Sequence, residues 1–134
     1  MQSKDRWTTS RTAVYNLGYH IIWCPKYRKP VLVGEVESRL TRLIHEKANE
    51  LKCSVEKLEI MPDHVHMFIK TPPTLPVQFV VGQIKGYSSR ILRSEFKHLK
   101  RRLPCMWTRS YYAESIGHIS KETVRRYIEN QKNK

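Results

Sequence analysis

A chain of 134 residues can bury a core of its own without disulfides or structural metals, and one domain spanning 1–134 is expected. Its 25 Lys and Arg against 12 Asp and Glu leave a net charge of +13 and a pI near 9.9, which favours polyanionic partners such as nucleic acid. No apolar run approaches the ~20 residues of a membrane-spanning helix, and the opening MQSKDRWTTS is polar, so a soluble cytoplasmic protein is expected. Cys24, Cys53 and Cys105 are odd in number, far apart and in no CxxC pair; they read as reduced packing residues rather than as a disulfide framework or zinc ribbon.

In chain order, VYNLGYHIIWC (14–24) is rich in β-branched and aromatic residues and predicts a strand that Pro25 ends. After the basic loop KYRKP, apolar residues at Val36, Leu40, Leu43, Ile44, Ala48 and Leu51 form the stripe of a helix over about 35–51. SVEKLEIMP and HVHMFIK then predict two strands joined at a tight Pro62-Asp63 turn. TPPTLP breaks the chain. Apolar residues from Val77 to Leu99 recur at helical spacing and predict the longest helix, weakened by Gly82 and Gly86, with Lys85 and Arg90 on other sides. The basic KHLKRRLP leads to MWTRSYYAES (106–115), a fourth strand, and then Gly117. Ser120 can cap a last helix, about 120–131, with Glu122 in its first turn where the dipole favours an anion.

The order strand, helix, strand, strand, helix, strand with an appended helix predicts an α+β fold. It is that of a split βαβ, ferredoxin-like (RRM-like) domain with a four-stranded antiparallel sheet and both main helices on one face. Side chains alternate along a strand, so Val65, Met67 and Ile69 share one face and His64 and His66 the other. If the apolar set faces the helices, the two imidazoles lie on the face left open, where nucleic acid often docks.

Two neutral imidazoles on one strand face can share a metal ion; the competing reading is a pair of satisfied core histidines. On the last helix Tyr127 and Gln131 are four apart and project together, beside Val124 and Ile128. Gln131 could supply an oxygen ligand and Tyr127 a phenolic nucleophile toward a polarised phosphate. Equally, Tyr127 could be a core tyrosine and Gln131 a solvated end residue. A bis-imidazole site by affinity order prefers zinc or copper. Lys26, Arg28 and Lys29 beside Trp23 and Tyr27 mix charge with stackable rings, as single-strand binders do. Lys97, Lys100, Arg101 and Arg102 could track phosphates or simply solvate a helix end.

HVH at 64–66, Tyr127 followed by Gln131, WCPKYR at 23–28 and the overall length together resemble the small single-tyrosine transposases of the HUH endonuclease superfamily, over essentially the whole chain. The resemblance implies that His64, His66 and Gln131 hold Mg2+ or Mn2+ and that Tyr127 cuts single-stranded DNA at insertion-sequence ends. It further implies a 5′-phosphotyrosine intermediate, a leaving 3′-hydroxyl, and resealing by reversal without ATP. By their own charge and rings, Lys26, Tyr27, Arg28, Lys29, Lys85 and Arg90 are the expected DNA contacts. Recognition of DNA hairpins near the element ends is also implied by the resemblance. So is a homodimer whose active sites combine the histidine pair of one subunit with the tyrosine helix of the other. Gly117 would then be a hinge, and the protein would be nucleoid-associated when bound to DNA. Readings still open are a relaxase or replication-initiator nickase of the same superfamily, a domesticated repeat-associated transposase, a metal-dependent hydrolase without a covalent adduct, and a non-catalytic RRM-like module. The last lacks an RNP-like run such as K-G-F-G-F-V.

Overall fold

The computed structural model describes residues 8–9, 14–116 and 129; Gly117, Tyr127, Gln131 and nearly all of the helix expected over 120–131 lie outside the described residues. The strand expected over 14–24 is divided. Strand β1 (Thr8–Thr9) pairs antiparallel with β2 (Val14–Tyr15) in a separate ribbon, and β3 (Gly18–Trp23) enters the main sheet. The division falls where the hydrogen-bond partners change: the Leu17 and Gly18 carbonyls accept from Thr71 N and Ile116 N, at 3.0 and 2.7 Å.

Helix α1 (Gly34–Glu50) follows the predicted stripe and buries Val36, Leu40, Leu43, Ile44 and Ala48. Strands β4 (Ser54–Met61) and β5 (His64–Lys70) form the hairpin expected around Pro62 and Asp63, paired from Met61 opposite His64 to Ser54 opposite Lys70, with a register shift between Val55 and Lys57.

Helix α2 (Val77–Glu95) ends earlier than the spacing predicted. Phe96 is extended (φ −116°, ψ 91°) and a separate helix α3 (Lys97–Arg102) follows. Leu92 and Leu99 are both fully buried, and their separation of two helical turns fits a continuous helix as well as a restarted one, so the apolar pattern could not report the break. The expected fourth strand is broken: β6 (Tyr112–Ser115) pairs with β3, and upstream of it Trp107 makes only an isolated antiparallel bridge to Pro25. Met106 and Trp107 bury their side chains in the core, where the Trp107 indole N–H donates to the Lys85 carbonyl and the Ser88 hydroxyl oxygen, both at 3.2 Å.

The four main strands lie in the order β4-β5-β3-β6, every neighbour antiparallel, which is the ferredoxin-like arrangement. Ile21, Trp23, Val65, Met67 and Ile69 join the buried residues of α1 and α2 in one core cluster. The helices thus cover one sheet face. Between them Arg39 donates twice to the Glu95 carboxylate, at 2.8 and 3.0 Å. Among the described residues no helix is long and apolar enough to cross a membrane.

The three cysteines are free. Cys53 is buried, and burial pushes its thiol up to about 11, as suits a packing residue. Cys105 is exposed, so the packing role expected for it is not what the fold assigns.

Candidate active site

β5 sorts its side chains by parity. Val65, Met67 and Ile69 are 0 % exposed beneath the helices, whereas His64 and His66 are about one-third open, at 35 and 33 %. The imidazoles therefore stand on the open face and are not core histidines.

Each ring is held on one side by a carboxylate. His64 Nδ1 lies 2.9 Å from Asp63 Oδ1, and His66 Nδ1 lies 3.3 Å from Glu59 Oε1, the residue opposite it on β4. Asp63 is itself engaged by Arg28, whose Nη2 donates to Oδ2 at 2.7 Å. The hydrogen bond from His64, and then the Arg28 guanidinium, hold the Asp63 carboxyl below the usual carboxylate range. A carboxylate can only accept, so in the neutral ring it is Nδ1 that donates and Nε2 that is left with the lone pair. This is the arrangement in which metal-ligating histidines are normally oriented. The donor set accordingly fits a divalent cation at the two Nε2 atoms. Among the described residues no group of three or more His, Cys, Asp or Glu side chains is placed to hold a metal ion.

A third imidazole shares this face. His20 of β3 meets His66 edge-on, with ring centroids 5.2 Å apart, and meets Phe68 in the same way at 5.2 Å. Phe68 in turn lies over Gly18, where an added Cβ would come within 2.8 Å of its ring. Reading the motif alone missed Glu59, Asp63 and His20. Alternation in GYHIIW does place His20 opposite Tyr19, Ile21 and Trp23, but only the β3–β5 register seats it beside His66.

The nucleic-acid candidates divide. Lys26, Tyr27 and Arg28 form one turn of 3-10 helix after β3, with Lys29 exposed beyond it. Tyr27 is 66 % exposed, and the Lys26 ammonium sits 5.3 Å from its ring centroid. Trp23, expected as a second stackable ring, is instead 2 % exposed and packs edge-on against Trp107, its centroid 5.9 Å away. Parity decides this: Trp23 falls on the helix face of β3. Lys85, expected to reach DNA, turns its ammonium inward, donating to the Thr108 and Ser110 carbonyls at 2.7 and 3.2 Å; burial lowers its pKa. It anchors the segment leading into β6. Arg90 is exposed, its guanidinium 5.8 Å from the Tyr87 ring centroid. Lys97, Lys100, Arg101 and Arg102 are exposed on α3.

The family model described as "Transposase IS200 like" matches residues 13–131. The chain belongs to this family. It is 36 % identical over 126 residues to the ISDra2 transposase TnpA of Deinococcus radiodurans, covering 92 % of this chain and 90 % of that protein. It is 30 % identical over 119 residues to the transposase for insertion sequence element IS200 of Salmonella typhimurium, covering 87 and 78 % of the two chains. Among solved structures, that of a transposase from Deinococcus radiodurans R1 matches with a TM-score of 0.77 at 35 % identity, over 92 % of this chain and 97 % of that one. The structure of a REP-associated tyrosine transposase bound to a REP hairpin shares the fold, with a TM-score of 0.56 at 13 % identity, over 90 % of this chain and 67 % of that one.

As an IS200-like transposase the chain acts on DNA, and its strongly basic composition agrees with that substrate. Two imidazoles with available Nε2 atoms, set on an open sheet face, suit a metal-assisted reaction at a phosphodiester.

Proposed function

We propose that this transposase cuts and rejoins single-stranded DNA at the ends of its element by transesterification, with Tyr127 as the nucleophile. The phenolate oxygen of Tyr127 attacks the scissile phosphorus. The phenol gives its proton to solvent, the bond from phosphorus to the 3′-oxygen breaks, and the departing 3′-oxygen takes a proton from solvent to become the 3′-hydroxyl. One ester replaces another, so reversal by a new 3′-hydroxyl reseals the strand without ATP. His64, His66 and Gln131 would hold Mg2+ or Mn2+, which supplies Lewis-acid polarisation and charge neutralisation at the phosphate. Asp63 and Glu59 keep the two rings in the ligating tautomer.

The carrying observation is the pair of open-face imidazoles, each with Nδ1 held by a carboxylate and Nε2 left available. Hairpin DNA as the partner is supported by the transposase of the same fold described as bound to a REP hairpin. We assign the functional unit as a homodimer, the histidine pair of one subunit working with the tyrosine helix of the other and Gly117 as the hinge between sheet and helix. The support is the resemblance to single-tyrosine transposases, in which active sites are shared in this way.

The deciding experiment incubates full-length protein with a single-stranded oligonucleotide carrying the element end and Mg2+ or Mn2+. A covalent adduct at Tyr127 is expected, lost in Tyr127→Phe while DNA affinity is retained, and lost in His64→Ala with the fold intact. Cleavage without an adduct would make the protein a hydrolase. An adduct persisting in Tyr127→Phe would move the nucleophile, and Tyr112 is the alternative the sheet offers: it is 54 % exposed and pairs with Ile22, which also pairs with His66.

A further inference from the structure

The turn after β3 is bent against the preference of its own residues. Tyr27 (φ 60°, ψ 18°) and Arg28 (φ 51°) are consecutive and both lie in the left-handed region, which side-chain-bearing residues adopt only at an energetic cost. Burial does not offset it. No residue of the turn is buried, and the Arg28–Asp63 pair, with side chains 70 and 32 % exposed, belongs to the class of surface ion pairs that contribute little. Strain of this kind persists where surrounding structure imposes it, and it gathers at functional sites.

Its consequence here is placement. The turn is pinned by Lys26 N to the Met106 carbonyl at 3.0 Å and by Arg28 N to the Pro25 carbonyl at 2.8 Å; just beyond, Leu32 N reaches the Pro62 carbonyl of the β4–β5 turn at 3.0 Å. Within that frame Tyr27 stands out into solvent with Lys26 at one side of its ring. The next residue, Arg28, grips one oxygen of Asp63 while the other oxygen accepts from His64. A single carboxylate thus joins the exposed ring's turn to the first histidine of the pair.

We propose that Tyr27 is a stacking platform for one unpaired nucleobase of the DNA strand, with Lys26 taking a neighbouring phosphate. The Arg28–Asp63 link sets the distance from that base to the histidine pair, so the platform selects which phosphodiester is presented there. The chemistry fits an unpaired base specifically: a solvent-facing ring offers a π surface that a base inside a duplex, already stacked on both sides, cannot use. The inference rests on the single-strand reading above and deepens it.

The test uses full-length protein without divalent metal, so that binding is read in the absence of cutting. The probes are single-stranded oligonucleotides of the element end carrying 2-aminopurine at successive positions around the cleavage site. One position should be quenched more strongly than its neighbours. Tyr27→Ala should abolish that quenching and weaken binding on the order of tenfold, and Tyr27→Phe should keep both. Tyr27→Gly, which suits a φ of 60°, should lose the quenching while its Tm stays level or rises. Quenching unchanged in Tyr27→Ala, spread evenly over all positions, or equal in the fully paired duplex overturns the platform, as does a lowered Tm in Tyr27→Gly, which would make the ring structural. The two readings fail separately: a protein with Tyr27-dependent quenching and no Tyr127 adduct loses only the cleavage mechanism, and an adduct-forming protein without such quenching loses only the platform.

Discussion

The two faces of β5 divide stability from chemistry along a single strand. Val65, Met67 and Ile69 are fully buried against α1 and α2, while His64, His66 and Phe68 keep partial access to solvent on the other side. Because alternate residues point to opposite faces, the strand can hold two imidazoles a few ångströms from a close-packed core without burying a charge in it. A bound cation and a polyanionic strand can approach the open face, and nothing in the core has to move. The contrast teaches that substitutions one residue apart on β5 should have consequences of different kinds.

The sharpest test is at His66. His66→Ala should lower metal-dependent DNA cleavage by on the order of 10²–10³-fold, the scale seen when one charge-stabilising group is removed from a transition state, while changing unfolding free energy by no more than about 0.5 kcal/mol, as partly exposed positions usually do. Cleavage assays beside urea unfolding measure both. Next comes its neighbour on the other face: Met67→Ala should cost about 2–5 kcal/mol through the cavity it leaves in the core, read from the urea midpoint, with the metal affinity of the remaining folded protein retained. Equal losses of stability at the two positions would erase the division between faces.

A smaller effect should follow at Asp63, which acts through His64. Asp63→Asn keeps the shape but removes the carboxylate that fixes the ring's tautomer, and metal affinity should fall about 10- to 100-fold by titration. Retained affinity would mean that the ring needs no such support. The smallest effect lies on the helical side. The hydrogen bonds from Arg39 hold the Glu95 carboxyl below the usual carboxylate range. A depressed folded-state pKa contributes stability that is fully present above the unfolded value, about 4.3, and lost as pH falls through the folded value. The urea-midpoint difference between wild type and Glu95→Gln should therefore be present at pH 6–7 and fade below about pH 4, with cleavage at neutral pH the same in both.

Much of this arrangement was written locally. The period-two alternation of HVHMFIK already put both histidines on one side, and the stripe Val36, Leu40, Leu43, Ile44 and Ala48 already defined α1 and its buried face. Local pattern failed where distant partners decide. The strand expected over 14–24 divides because Thr8–Thr9 and β5 compete for its two halves, and α2 stops at Phe96 although the apolar spacing runs on to Leu99. Trp23 looked like a stacking ring beside KYRK until its parity on β3 sent it into the core; Lys85 was expected to reach DNA, but the carbonyls of Thr108 and Ser110 hold its ammonium.

The amino-acid order alone settled the order of the four main strands and two main helices, the shared face of His64 and His66, and a charge suited to DNA, because period and composition are properties of short stretches and of the sum. Tertiary structure decided what surrounds those rings. Glu59 and His20 reach His66 only through strand register, and Arg28 reaches Asp63 across a sequence separation of 35 residues. Such contacts depend on how the chain closes its loops, which no local spacing encodes.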